Sequence, residues 1–380
     1  MGIHETSQDS VEKGLKYREL PLFYRDRLEF NRAQSSEFSK KALKNKGFLI
    51  MDFSNLKLSV LNLAPVRQGY DNAQAVQAMT ELAQAVEQMG YDRYWIAEHH
   101  NIPGLVSSAT SILIAHVLQN TQKIRVGSGG IMLPNHSPLV VAEQFGTLAT
   151  IYPNRVDLGL GRAPGTDRMT AAALRRTHQE TALSFPDDVQ ALQRYLGDDS
   201  MQGYVKAYPG MGTNVPIYIL GSSTESAYLA AALGLPYAFA AHFAPRMLES
   251  AAQIYRQNFR PSAVLDKPYF ILACNLISAE TDEEAQWLST SHYHLVLSIV
   301  RNSRLPLMPP RELPTDLSES ERQVVESMTA YTLRGSKATI TAQLESWQNI
   351  LRADELMAVS YIYDQEKQKA AYQTLKDICS

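Results

Sequence analysis

YDRYWIAEHHNIPGLVSSATSILIAHVLQNTQKIRVGSGG, residues 91–130, holds one strand–helix–strand repeat. Arg93–Ala97 (RYWIA) is a short β-rich run and Ile124–Ser128 (IRVGS) is the next. Between them Ser107–Gln119 has the apolar content of a helix, and no hairpin turn joins the two runs. Strands separated by a crossover helix pair in parallel, whereas antiparallel neighbours need only a tight turn. The same period, roughly thirty residues per unit, continues outward in both directions. Upstream lie a strand at Lys57–Leu63, an amphipathic helix at Ala73–Met89 and a stop at Gly90. Downstream lie helix Leu139–Thr150 and strand Arg155–Leu160. Further strands are read at Ile217–Leu220, Tyr237–Ala240, Tyr269–Ile277 and Leu356–Tyr363, with helices at Ser226–Leu233, Pro245–Arg256, Asp282–Ile299 and Ala338–Leu351. Eight such strands are the number that closes a (β/α)8 TIM barrel. An open doubly wound sheet gives the same alternation, so the pattern by itself does not choose between them.

The 380-residue chain is 45% apolar and 20% charged with a net charge of -3, an ordinary globular composition. No basic excess points to a nucleic acid or a membrane surface as partner. No apolar run reaches the roughly 18 residues a membrane-spanning helix needs. The two cysteines, Cys274 and Cys379, lie far apart without CxxC spacing, which fits a cytoplasmic protein and a core role for Cys274. Residues 1–50 are charged and irregular and read as an extension, disordered or docked peripherally, ahead of a barrel over residues 51–380. Two stretches, 163–214 and 300–337, exceed a minimal repeat and are expected as insertions over the C-terminal mouth, where long loops bind substrate or act as lids.

Active sites of parallel barrels are built from the residues just beyond each strand. Six consecutive strand ends here carry polar or flexible residues. They are Asn62; Glu98, His99 and His100; Gly129 and Gly130, with His136 shortly beyond; Arg162; Ser222, Ser223 and Ser226; and His242. Arg162 is a fixed cation, and the three serines flank the start of a helix whose free amides attract anions, a setting that suits a phosphate. Plain helix capping explains Ser222 and Ser223 equally, and Arg162 has Asp157 and Glu143 as alternative ion-pair partners. Gly129–Gly130 reads as a floor for a flat ligand or as a tight turn. His99 suits general acid–base work, and because side chains alternate along extended chain, at most one of His99 and His100 is expected to point into the mouth. A metal held by Glu98, His99, His136 and His242 is the rival reading. Leu63, Met132 and Phe243 are apolar candidates for the mouth lining or for the core.

The motifs YDRYWIAEHHN (Tyr91–Asn101), VGSGGIMLPNHSPLVVAEQFGTL (Val126–Leu148), NRVDLGLGRAPGTD (Asn154–Asp167) and LGSSTESAYLAAALGLPYAFAAHF (Leu220–Phe243) together resemble the bacterial luciferase-like family of flavin-dependent monooxygenases. The resemblance runs from Leu56 to the C terminus. It implies a luciferase-like TIM barrel that takes FMN, as FMNH2 delivered by a separate flavin reductase, and uses it with O2 to oxygenate a small organic substrate. It implies a catalytic role for His99, a non-prolyl cis peptide at Gly129–Gly130 beneath the flavin ring, and phosphate contacts from Arg162, Ser223 and Ser226, with no metal. Gly161 stands where luciferase has a cysteine, so light emission is not implied. A homodimer is expected. Two alternatives stay open: a deazaflavin-dependent hydride-transfer oxidoreductase, and a flavin-binding protein without turnover.

Overall fold

A computed structural model describes residues 52–162, 168–174 and 184–380. The expected extension over residues 1–50 and the motif residues 163–167 lie outside these described residues. Nine strands appear among them: β1 (Lys57–Asn62), β2 (Arg93–Ile96), β3 (Arg125–Met132), β4 (Val156–Gly161), β5 (Ile217–Gly221), β6 (Tyr237–Ala240), β7 (Phe270–Ser278), β8 (Thr332–Gly335) and β9 (Glu355–Val359). Every pairing between them is parallel. Strands β1 to β7 follow one another in sequence order, β7 pairs with β9, and β9 pairs with β1. The sheet therefore closes on itself as a TIM barrel of eight strands, and the open-sheet alternative falls.

Around it the described helices are α1 (Asn72–Gln88), α2 (Thr110–Gln119), α3 (Pro138–Ile151), α4 (Arg168–Ala173), α5 (Phe185–Leu196), α6 (Thr224–Leu233), α7 (Leu248–Asn258), α8 (Asp282–Val300), α9 (Glu319–Met328), α10 (Lys337–Leu351) and α11 (Gln365–Ile378). Their limits follow local chemistry. Asp71 and Gln74 form a reciprocal capping box at the start of α1, and Gly234 closes α6 in the left-handed conformation at φ 61°. The C-terminal helix α11, unassigned from sequence, buries Gln368, Ala371, Tyr372 and Leu375 at helical spacing.

The extra strand corrects one expectation. Residues 300–337, read as a loop, contain α9 and β8 as well as irregular chain. β8 is four residues long, too short to show a period, and it pairs with Asn275–Ser278, the C-terminal half of β7 beyond its pairing with β6. The irregular part does reach the mouth. Leu307 is fully buried in the barrel core, and its backbone bonds Val66 and Gln68 in the loop after β1. Residues 163–214 likewise hold α4 and α5.

Alternate residues of each strand point inward. At the N-terminal end the inward set is ionic: Arg93 joins Asp157 at 2.8 Å and Glu355 at 3.1 Å, and Arg125 adds a second contact to Asp157. Above this floor an apolar layer of Leu61, Trp95, Tyr218, Ala238, Ile271 and Met357 fills the lumen. Cys274 points away from it and is fully buried, as the apolar run around it predicts.

Candidate functional site

His99 continues the lumen face of Trp95 and Ala97, both of which belong to the barrel core. Its amide bonds the Ser107 carbonyl at 3.0 Å, while its Nδ1 is buried without a hydrogen-bond partner. Burial outweighs the attraction of the Glu98 charge and holds the imidazole down at about 4, so it is neutral near pH 7. Glu98, one residue earlier, faces the other way and is 1% exposed. One of its oxygens, Oε1, accepts from His100 Nε2 at 2.7 Å and from His136 Nε2 at 2.8 Å, and Oε2 accepts from the Met132 amide at 3.0 Å. Burial acts to raise Glu98, but these hydrogen bonds prevail and bring it to about 2. His100 is raised in turn, chiefly by its bond to Glu98.

The alternation expected for the two histidines therefore holds: His99 serves the lumen and His100 the wall. The set proposed for a metal is divided. Glu98 and His136 meet, but their third member is His100, with ligand atoms mutually within 4.8 Å. His99 and His242 lie together in the mouth instead, close enough for His99 to lower the proton affinity of His242. In the wall, the Glu98 cluster ties the end of β2 to the chain leaving β3.

Gly129–Gly130 interrupts the pairing of β3 with β4, which resumes at Ile131, and is joined by a cis peptide, as the resemblance implies. Both glycines have a packing reason as well. A β-carbon on Gly129 would come within 2.5 Å of Leu61 Cδ1, and one on Gly130 within 2.7 Å of the Gly159 carbonyl oxygen. The strand is pressed into its neighbours too closely for any side chain, so the flat backbone surface is built by the barrel itself.

Arg162 follows β4 and is exposed. Asp157 is occupied by Arg93 and Arg125, which removes it as the partner considered for Arg162. Ser222 and Ser223 are half-buried at the end of β5, and Ser223 takes the N-cap position of α6 without a side-chain capping bond. Ser226 sits beneath them. Its hydroxyl donates to the Ser223 carbonyl at 2.8 Å and lies 3.0 Å from Tyr237 Oη, so it braces the turn. Glu225 is held low by the Ser223 hydroxyl and its own amide, with Arg162 close enough to contribute. Cation, serines and helix start thus share one corner, as a phosphate would require.

Asn62 stands apart. Its Nδ2 donates to Tyr94 Oη at 2.6 Å and its Oδ1 accepts from the Ala64 amide at 2.6 Å, outside the lumen. It fixes the turn that leaves β1. Of the apolar candidates, Leu63 packs against the lumen core, Met132 is half-buried, and Phe243 is 45% exposed.

Three mouth residues escaped the sequence reading. Asn275 lies on β7, His292 on α8 and Tyr361 just after β9, and all are buried. His292 stacks on Tyr361 with ring centres 4.7 Å apart, and Asn275 Nδ2 donates to the His242 carbonyl at 2.7 Å. A lone asparagine inside FILACNLIS was the available signal for one of them. Nothing local distinguishes the other two.

The sequence model described as luciferase-like monooxygenase matches residues 56–360. An uncharacterised Bacillus subtilis protein, YddN, is 50% identical over 84% of this chain and 95% of its own length. An Escherichia coli protein described as a luciferase-like monooxygenase is 43% identical over 86% of this chain and 98% of its own. Among solved structures, apo-MsnO8 superposes with a TM-score of 0.77 at 35% identity, covering 85% of this chain and 98% of that one. Two more distant structures share the fold at a TM-score of 0.62. One is the FMN complex of the oxygenating constituent of 3,6-diketocamphane monooxygenase from Pseudomonas putida, at 15% identity with coverages of 84% and 96%. The other is an F420-dependent secondary alcohol dehydrogenase, at 14% identity with coverages of 87% and 100%.

Proposed function

This chain belongs to the luciferase-like monooxygenase family, and from that premise we propose that it is an FMN-dependent monooxygenase, oxygenating a small organic substrate with O2 and FMNH2 supplied by a separate reductase. The observation that carries this reading is His99: a buried, neutral imidazole with Nδ1 unpartnered, at the same barrel end as the Gly129–Gly130 backbone and the Arg162–Ser223 corner. A purely structural histidine would have its ring nitrogens bonded.

The residues present fit FMN. Arg162, Ser222, Ser223 and the free amides of α6 would hold the phosphate, with Ser226 keeping the turn in place. The Gly129–Gly130 backbone would lie against the ring. Bound reduced FMN supplies the electrons and the O2 chemistry that no side chain provides. The protein's own part is to position and to exclude water. Leu63, Leu220 and Leu307 close the lumen below the mouth, so bulk solvent does not compete with the substrate. His99 takes or gives a proton at Nδ1 and stays neutral until well below pH 6. A homodimer and a cytoplasmic location belong to the same proposal. Exposed Ile112 on α2 with Val140 and Ile151 on α3 offer such a dimer an apolar surface, and no described helix is long and apolar enough to cross a membrane.

Anaerobic titration of the full chain with reduced FMN, then exposure to O2, tests the reading. Tight binding, and slower peroxide release than from free reduced FMN, is the expected result. His99→Ala should keep the flavin affinity and lower product formation by about 10²–10⁴-fold. Binding of a deazaflavin but not of FMN in either redox state would transfer the chain to the hydride-transfer branch. Turnover unchanged in His99→Ala would remove the histidine's role.

A further inference from the structure

We propose that the barrel mouth recognises the uncharged, N–H- or O–H-bearing end of its substrate through Asn275, His242 and His292, beside His99. This inference rests on the monooxygenase reading for the identity of the reaction, but the recognition chemistry comes from groups that reading does not use.

These four residues meet from four directions. Asn275 is in the lumen series of β7 with Ile271 and Ala273. It is in register with Val359 of β9, and Tyr361, two residues further on, carries the stacked ring of His292. His242 follows β6 and is clamped by its carbonyl to Asn275 Nδ2. His292 descends from α8, whose next turn places Leu295 against the lumen core. The ring of His292 therefore lies one layer above Asn275, across from the end of β2 that carries His99.

Asn275, His242 and His292 are 0%, 7% and 2% exposed. Asn275 Oδ1 and the Nδ1 atoms of His99, His242 and His292 are all buried without a partner among the described residues. One such atom is tolerable, but four on neighbouring residues, with His242 close to both His99 and His292, form a recognition surface, because a buried polar atom left unmatched costs about 1–3 kcal/mol. Their chemistry limits what fits. Asn275 gives one amide hydrogen to the His242 carbonyl, and its Oδ1, which can only accept, requires a donor from the ligand. Burial keeps the imidazoles neutral, each offering one donor and one acceptor. The described cation that acts on His292 is Arg334 of β8, whose guanidinium donates to Tyr293 Oη on α8. A carboxylate would face the Asn275 oxygen and lose its hydration, and a permanent cation would meet no described carboxylate there. An amide or a hydroxyl on an apolar body satisfies the set, with Leu63 and Tyr361 against the body.

The test uses three probes that share one octanoyl chain: octanamide, octanoate and methyl octanoate. Each is titrated into the full chain by calorimetry, with saturating FMN and again without it. Octanamide should bind about tenfold or more tighter than either of the others, since a site built to hydrogen-bond a ligand group rejects analogues that lack it. His292→Phe keeps a ring to stack on Tyr361 but removes both nitrogens. It should weaken octanamide about tenfold while leaving methyl octanoate within about twofold. Equal binding of amide and carboxylate, preference for the ester, or no binding of any probe would overturn the proposal. Should His292→Phe fail to fold, the ranking of the three probes on the native chain decides alone. Discrimination that persists in a chain unable to bind FMN would sink the flavin reading and leave this one standing.

Discussion

The two ends of the barrel handle polar groups in opposite ways. At the floor, Arg93, Arg125, Asp157 and Glu355 share their charges, and the remaining acceptor positions are filled by Trp95 Nε1 at 3.1 Å, Tyr269 Oη at 2.6 Å and the Ser59 hydroxyl. At the mouth, the buried polar atoms without partners among the described residues are those of His99, His242, Asn275, Ser278 and Ser360, with Gln286, Ser291 and His292 on α8. His99, His242 and Ser360 follow barrel strands, Asn275 and Ser278 lie in the C-terminal half of β7, and the other three lie on the helix above. A network whose members are all matched rigidifies a fold, and one left unmatched has affinity to spare for something else. Matched and unmatched polar groups therefore occupy opposite ends of the same strands, within one alternation of side chains.

The sharpest way to break this contrast is to remove a charge from the floor. Arg93→Met leaves Glu355 without its cation and Asp157 with Arg125 alone, and should cost about 3–5 kcal/mol of stability. Chemical denaturation measures it, and a loss below about 1 kcal/mol would show that the floor is not a coupled network.

Acid titration sharpens the contrast further. The mouth histidines bind protons more weakly folded than unfolded: His99 is lowered from 6.5 to about 4, and His242 and His292 from 6.5 to about 3. Below pH 6.5 the unfolded chain therefore takes up protons that the native mouth refuses, and stability falls by up to about 1.4 kcal/mol per histidine per pH unit. Glu98 acts in a lower window: its contribution is complete above 4.5 and is lost as pH falls towards about 2. Thermal melts from pH 7 to 5 should show a decline that His292→Phe makes shallower. A flat profile across that range would contradict neutral, buried imidazoles.

The smallest effect expected is at the phosphate corner. Ser226→Ala removes the bonds to Ser223 and Tyr237, lowers stability by about 1 kcal/mol, and should weaken FMN binding severalfold. Equilibrium titration of the variant reads this, and unchanged affinity would leave Ser226 a packing residue only.

Much of this organisation was legible in the chain. All eight barrel strands were read within a residue of their observed starts, because β-rich runs spaced by amphipathic helices leave few other solutions. β9 was read with four residues too many at its C-terminal end, because Ser360–Tyr363 continues the apolar run after pairing stops. β8 and α11 were missed, the one too short and the other masked by charged residues. Of the candidate site, His99, Gly129, Gly130, Arg162, Ser222, Ser223 and Ser226 were named because barrel chemistry gathers where strands end. Asn62 was named by the same rule, and the structure gives its amide to Tyr94 and Ala64.

Sequence alone determined the repeat, the parallel pairing and the strand ends that carry chemistry, since these follow from local periodicity and from residue type. Tertiary structure alone decided that the sheet closes, that Glu98 ties His100 and His136 into the wall, and that His292 comes down from α8 to meet Asn275. Those facts depend on contacts between residues tens to hundreds of positions apart, and no local pattern encodes which distant side chain a closed barrel will bring opposite another.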